Sequence, residues 1–197
     1  NRYFVCNACL GGSSLGGKNQ KPFQGKVDYD YLMWIDSDQV FKPEDFLNLL
    51  KKAQETKVSI LSGLYLMQGG DLFATVEDWD KEFFKQNGFF KFLTPEDVSS
   101  RKEIFKVSYT GFGWLLVKRG VFESLEYPWV QPTWFDEDGV YEMTTTDCGF
   151  MHRAAEKGHH TYVDPTIIVG HEKTSVLTVD PKNLPPKIDF IPPPPPR

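Results

Sequence analysis

YDYLMWIDSDQVFKPEDF, residues 29–46, sets the fold class. Tyr31 to Ile35 form an unbroken apolar run that stops at Asp36, the pattern of a strand buried on both faces, as in a parallel sheet. Pro43-Glu44-Asp45 then opens a helix: proline suits the first helical position, and the acids suit its positive end. Phe46, Leu49, Leu50 and Ala53 follow at helical spacing, and residues 58–66 (VSILSGLYL) return as a second apolar strand. Strand, helix and strand make a βαβ unit of about 35 residues.

Working outward, Arg2 to Leu10 read as a short apolar helix, followed by a loop rich in glycine between Gly11 and Gly25. Residues 72–77 and 103–109 have β character, and Thr94-Pro95-Glu96-Asp97 is a helix start. Gly111 to Val117 form a buried strand with glycine at its entry, and 119–125 a short helix. Thr144 with Asp147 three residues on resembles a capping box for a helix that runs to Gly158. Thr161–Asp164 and Thr166–Val169 read as two short β segments broken by Pro165. The expectation is an α/β fold: one domain over residues 1–180, with a central, mostly parallel sheet flanked by helices. Eight of the 14 prolines lie between Pro181 and Pro196. Residues 181–197 therefore read as a stiff tail or an interdomain linker to a further domain.

Composition narrows the function. The 197 residues are 40% hydrophobic and 25% charged, with a net charge of -5, and mean hydropathy is -0.39. This is the balance of a soluble globule. The negative charge argues against nucleic acid as a partner, and no apolar run is long enough for a transmembrane helix. No signal peptide is visible, so a cytoplasmic location is expected (host cytoplasm for a viral source). Cys6-x-x-Cys9 has no second pair and spans one helical turn, which favours two small buried residues over a redox or zinc site.

The chemistry concentrates at Asp36-Ser37-Asp38. In open α/β sheets, ligands bind beyond the carboxyl ends of the strands. Two carboxylates one residue apart repel unless a cation or protons intervene, and hard oxygen ligands suit Mn²⁺ or Mg²⁺. One chemistry that uses such a strand end is a phosphatase of the haloacid-dehalogenase type. Asp36 would be its nucleophile in the pattern Asp-x-Asp-x-Val ending at Val40. Its later acidic pair has only Asp71 and Asp78 as candidates, far apart in the chain. A non-catalytic carbohydrate-binding module is a further alternative, given the 15% aromatic content. In that reading Trp129 and Trp134, flanking the acidic loop from Gln131 to Glu142, would stack on sugars.

A third reading comes from a resemblance. IDSDQVFKPEDF (35–46), VSILSGLYLM (58–67), FGWLLVKRGVFESLEYPW (112–129) and TDCGFMHRAAEKGHHTYVDPTIIVGHEK (146–173) resemble the GT-A fold nucleotide-sugar glycosyltransferases of large DNA viruses, such as chlorella viruses, and of phages. The likeness covers about residues 29–175. It implies a Rossmann-related GT-A domain whose first strand would precede Asn1. It also implies transfer of a sugar from a UDP-sugar donor to a glycan acceptor. Asp36, Asp38 and His171 would hold the metal, with Asp38 the stronger ligand, and Ser37 and Lys173 would join the acids at the donor diphosphate. Asp147 would be the general base of an inverting enzyme, although Thr146 stands where a Glu is common; a cap to its helix is the alternative. Gly111 and Gly113 would let the backbone approach the substrates closely, and Trp114 would shape the pocket.

Overall fold

The computed structural model describes residues 2–137 and 139–173; the proline-rich segment 181–197 lies outside them. In chain order the elements are α1 (Arg2–Cys9), β1 (Tyr31–Ile35), β2 (Gln39–Val40), α2 (Pro43–Thr56), β3 (Ile60–Leu64), β4 (Thr75–Val76), α3 (Lys81–Asn87), α4 (Pro95–Val98), β5 (Phe105–Val107), β6 (Tyr109–Thr110), β7 (Trp114–Lys118), β8 (Trp134–Glu137), β9 (Val140–Met143), α5 (Thr146–Glu156), β10 (Thr161–Ile168) and β11 (Gly170–His171). Short 3-10 turns lie at Pro22–Gly25 and Phe122–Ser124. No described helix is long and apolar enough to cross a membrane.

The fold is mixed α/β. Its main sheet has the order β1-β7-β3-β10-β5, and only β3 and β10 pair in parallel. The pairings β1–β7, β3–β7 and β10–β5 are antiparallel. This corrects the expected mostly parallel sheet. The strand–helix–strand order over residues 31–64 is present, and β1 and β3 run the same way. However, β7 enters between them from more than 50 residues downstream, and no local pattern announces such an insertion. β1 is consequently an edge strand among the described residues. Its side chains are only part-buried, with Ile35 exposed, whereas every residue of β3 is buried. An apolar run alone does not separate an edge strand from a central one.

Alternation along the strands makes three layers. Leu61, Trp114 and Leu116 face α2, whose Leu49 and Ala53 are buried against them. Ile60, Leu115 and Val117 face the other way, onto Leu10 after α1 and onto Phe150, Met151 and Ala154 of α5. Each fully buried Leu or Phe here stabilises the fold by roughly 1.5–3 kcal/mol. Gly63 on β3 is forced by this packing. A Cβ there would stand 2.8 Å from the Ile167 carbonyl and 2.8 Å from the Trp114 ring.

Two local expectations change. Thr144 does not cap α5: its hydroxyl accepts from the Thr133 amide and donates to the Thr133 carbonyl, tying the β8–β9 hairpin to the helix entrance. The two β segments around Pro165 are one strand with a slip of register between Val163 and Ile168. Proline has no N–H for the ladder, so the chain bulges there. Asp164 supports the bulge by accepting from the amide and hydroxyl of Thr166 at 2.9 and 2.6 Å.

Candidate functional site

β1 delivers Asp36 to the end of the main sheet. The Asp36 amide donates to the Gly113 carbonyl at 3.0 Å, and the Gln39 amide donates back to the Asp36 carbonyl at 3.0 Å. The chain thus turns through Asp36-Ser37-Asp38 and starts β2. That short strand pairs with β11, with His171 opposite Gln39 and Gly170 opposite Val40. The Glu172 amide closes the ladder on the Asp38 carbonyl at 2.8 Å. Gly170 permits the approach, since a Cβ there would lie 3.1 Å from that of Val40.

The ladder brings three predicted site residues together. Asp38 Oδ2 lies 3.2 Å from His171 Nε2 and 2.7 Å from Lys173 Nζ, a pairing of residues 135 apart in the chain. The Lys173 hydrogen bond holds the Asp38 carboxyl below its ordinary value; burial opposes this and His171 adds to it. His171 Nδ1 lies 2.6 Å from the Leu66 carbonyl oxygen. A carbonyl only accepts, so Nδ1 carries the hydrogen. Tyr65 packs edge-on against the imidazole at 5.1 Å between centroids. Nε2 is therefore the ring nitrogen turned toward the Asp38 carboxylate.

The donor set fits a divalent ion. Two adjacent ligands of an octahedral ion, each at about 2.1 Å, stand about 3 Å apart, close to the Asp38–His171 separation. The Leu66 carbonyl orients the imidazole as outer-shell partners do in metal sites. No group of three or more His, Cys, Asp or Glu side chains forms a ready metal cage among the described residues. An ion held here would take its other ligands from solvent or from a bound ligand, the usual manner of Mg²⁺.

Asp36 is separate from this node. Its Oδ2 accepts from Arg2 NH2 at 2.6 Å. Burial disfavours the Arg2 charge, but Asp36 outweighs it and holds the guanidinium above its ordinary value. Arg2 also lies 5.8 Å from the Phe112 ring centroid. The repulsion within the motif is thus answered by protein cations, Arg2 of α1 and Lys173 just after β11. Sequence reasoning missed Arg2, whose only signal was a cation on an otherwise apolar helix. Ser37 is exposed at the tip of the turn.

Asp147 occupies the first turn of α5, where its charge meets the positive helix end. It accepts from the Tyr109 hydroxyl at 3.2 Å and from the Thr145 hydroxyl. Its field reaches Arg2 and Tyr65, which places it on the Asp36 side of the site. Burial, then Asp147, push the Tyr109 phenol well above its ordinary value, so that hydroxyl stays a donor.

Three residues expected to bind substrate are packed in the interior. Gly111 and Gly113 make room for Tyr65, whose hydroxyl accepts from the Gly113 amide at 3.1 Å. Trp114 is fully buried on the α2 face, with Phe41 at 4.5 Å. Beside them Gln39 is buried, and neither its amide nitrogen nor its oxygen has a partner among the described residues. The expected sugar-stacking pair divides: Trp129 is core, while Trp134 is exposed and stacked flat on Tyr141 at 4.7 Å. Cys6 is buried and Cys9 exposed, so only one of the two small residues is interior. Asp78 lines a different cleft, with Asp80 and Asp97.

No family model matches the chain, and no curated protein matches it. Among solved structures it is similar to A197 from STIV, with a TM-score of 0.42 and 17% identity over 78% of this chain and 71% of that one. Nothing about chemistry carries across at that level of likeness.

Proposed function

We propose that the protein is a metal-dependent glycosyltransferase that moves a sugar from a UDP-sugar to a glycan hydroxyl. The observation that carries this reading is the convergence of His171 and Lys173 on Asp38. An oxygen and a nitrogen donor stand 3.2 Å apart, with the Lys173 ammonium 2.7 Å from the same oxygen. Asp38 and His171 would hold Mn²⁺ or Mg²⁺, and Asp36 would face its outer sphere. A bound ion would supply Lewis-acid neutralisation of the charge that grows on the departing diphosphate. Lys173, released from Asp38 as the ion binds, would turn to the same diphosphate.

Asp147 is the proton acceptor in this scheme. Hydrogen bonds from Tyr109 and Thr145 fix its orientation. A carboxylate so held takes the acceptor hydroxyl's proton in an inverting reaction.

Calorimetry with UDP and Mn²⁺ tests the reading. The parent should bind UDP only with the metal present, and Asp38→Ala should weaken that binding at least about a hundredfold, near 2.7 kcal/mol. Metal-dependent UDP binding that survives Asp38→Ala unchanged would sink the proposal.

A further inference from the structure

Beside Asp147 lies a cavity of about 170 Å³ that no reading above uses. Trp79, Phe90, Phe92, Tyr109, Met143 and Cys148 line it, with Thr144 and Thr145 at its edge. Its aromatic wall is braced from behind: Trp79 meets Phe90 at 4.6 Å between centroids, and both contact Phe135 of β8. Phe84 of α3 backs Phe90 at 4.6 Å. These rings come from separate segments, so the wall is a tertiary construction.

The chemistry of the lining selects the ligand. The hydroxyls that reach it are already engaged: Tyr109 and Thr145 donate to Asp147, and Thr144 is bonded to the Thr133 backbone. A sugar placed here would lose its hydration for little return, because buried polar groups without partners are costly. An apolar ring would lose nothing. The volume matches that ligand too, since an apolar cavity of about 150 Å³ is known to hold benzene.

We propose that this cavity binds one phenyl-sized apolar ring, and that the ring is the aglycone of the acceptor. The second half of that statement rests on the transferase reading; the first does not. Tyr109 and Thr145 belong both to the cavity and to the hydrogen-bond shell of Asp147. A ring seated in the cavity therefore places the hydroxyl of an attached sugar beside that carboxylate. The acceptor is in consequence a glycoside with a flat, non-polar aglycone rather than a second sugar unit.

The test uses the whole chain without UDP or metal. Phenyl β-glucoside, phenol and methyl β-glucoside are titrated separately, read by protein-observed NMR and tryptophan fluorescence. Phenyl β-glucoside and phenol should each bind at least tenfold tighter than methyl β-glucoside. Met143→Trp, a change at an exposed rim residue, should fill the cavity and weaken phenyl β-glucoside at least fivefold. UDP binding in Mn²⁺ should be unaffected by it. Equal affinity for the phenyl and methyl glucosides, or phenyl binding that Met143→Trp leaves unchanged, overturns the proposal. Ring binding without metal-dependent UDP binding keeps the cavity assignment and removes the transferase reading. UDP binding without ring selectivity does the reverse.

Discussion

Asp36 and Asp38 stand one residue apart, yet they belong to two different environments. Asp38 lies in a ladder of two residues per strand and shares one carboxylate oxygen between Lys173 and His171. Asp36, 38% exposed against 40% for Asp38, pairs instead with Arg2, which lies over the Phe112 ring and feels the charge of Asp147 on α5. Tyr65, Tyr109, Cys6 and Cys148 on that side are all shifted upward, with burial as the leading cause. The lesson is that a short acidic motif is not one site. The turn at Ser37 points its two acids at different partners, Asp36 at Arg2 and Asp38 at Lys173.

Mutations can break that division, and the largest effect should come from Asp38. Its replacement by alanine removes the ion's oxygen ligand, as set out above. Asp36→Ala should weaken metal-dependent UDP binding by no more than about tenfold, about 1.4 kcal/mol. Equal losses from both changes would mean that the two acids act as one site after all.

Gly113→Ala should come next, because it strains Gln39 and Tyr65 together. Its Cβ would lie 2.7 Å from Gln39 Nε2 and 2.8 Å from Tyr65 Cζ. Overpacking of this kind costs about 1–3 kcal/mol, which urea unfolding would register as a lower midpoint. An unchanged midpoint would show that Tyr65 is free to move.

Arg2→Met should have a smaller, opposite effect on metal binding. The Arg2–Asp36 pair is about one-third exposed on both sides, so its loss costs stability about 0.2–1 kcal/mol. The same change frees Asp36 and should strengthen Mn²⁺ binding in the absence of nucleotide by about two- to fivefold. Calorimetry that finds weaker Mn²⁺ binding would overturn this account of Arg2 as a competing cation.

The smallest effect is in thiol chemistry. Burial pushes Cys6 up to about 11 and Cys148 up to about 12, while Cys9 is exposed. An aryl disulfide reagent at pH 8 should therefore label one thiol quickly and two slowly. The sign for stability follows. The unfolded thiols ionise from their ordinary value of 9.0 and the folded ones do not, so stability is present below that pH and declines as pH rises through 9 and beyond. Uniform labelling of all three would mean that Cys6 and Cys148 are open to water.

Much of the fold was legible in residues 29–66. The apolar run ending at Asp36, the proline-started helix and the apolar return follow from local periodicity and capping, and all three are present. The start of α4 at Thr94 was legible for the same reason: Asp97 and Thr94 satisfy each other's backbone amides at 2.8 and 3.3 Å. Strand order was not legible, because nothing in β7 states that it lies between β1 and β3. At the site, Asp36, Asp38, His171 and Lys173 were expected together; the last three meet, while Asp36 pairs with Arg2. Arg2 and the aromatic cavity were not found, since neither has a sequence signature.

The sequence by itself determined where strands and helices begin, which faces are apolar, and that two acids sit at the end of β1. Those are properties of near neighbours in the chain: side-chain periodicity, capping and proline geometry. Only the tertiary structure decided that the sheet is mostly antiparallel, that Asp36 and Asp38 have different cations, and that Gly111, Gly113 and Trp114 serve packing. It alone brought Trp79, Phe90, Phe92 and Tyr109 around one cavity beside Asp147. These depend on contacts between segments far apart in the chain, where the partner of each group is chosen by burial and shape rather than by spacing.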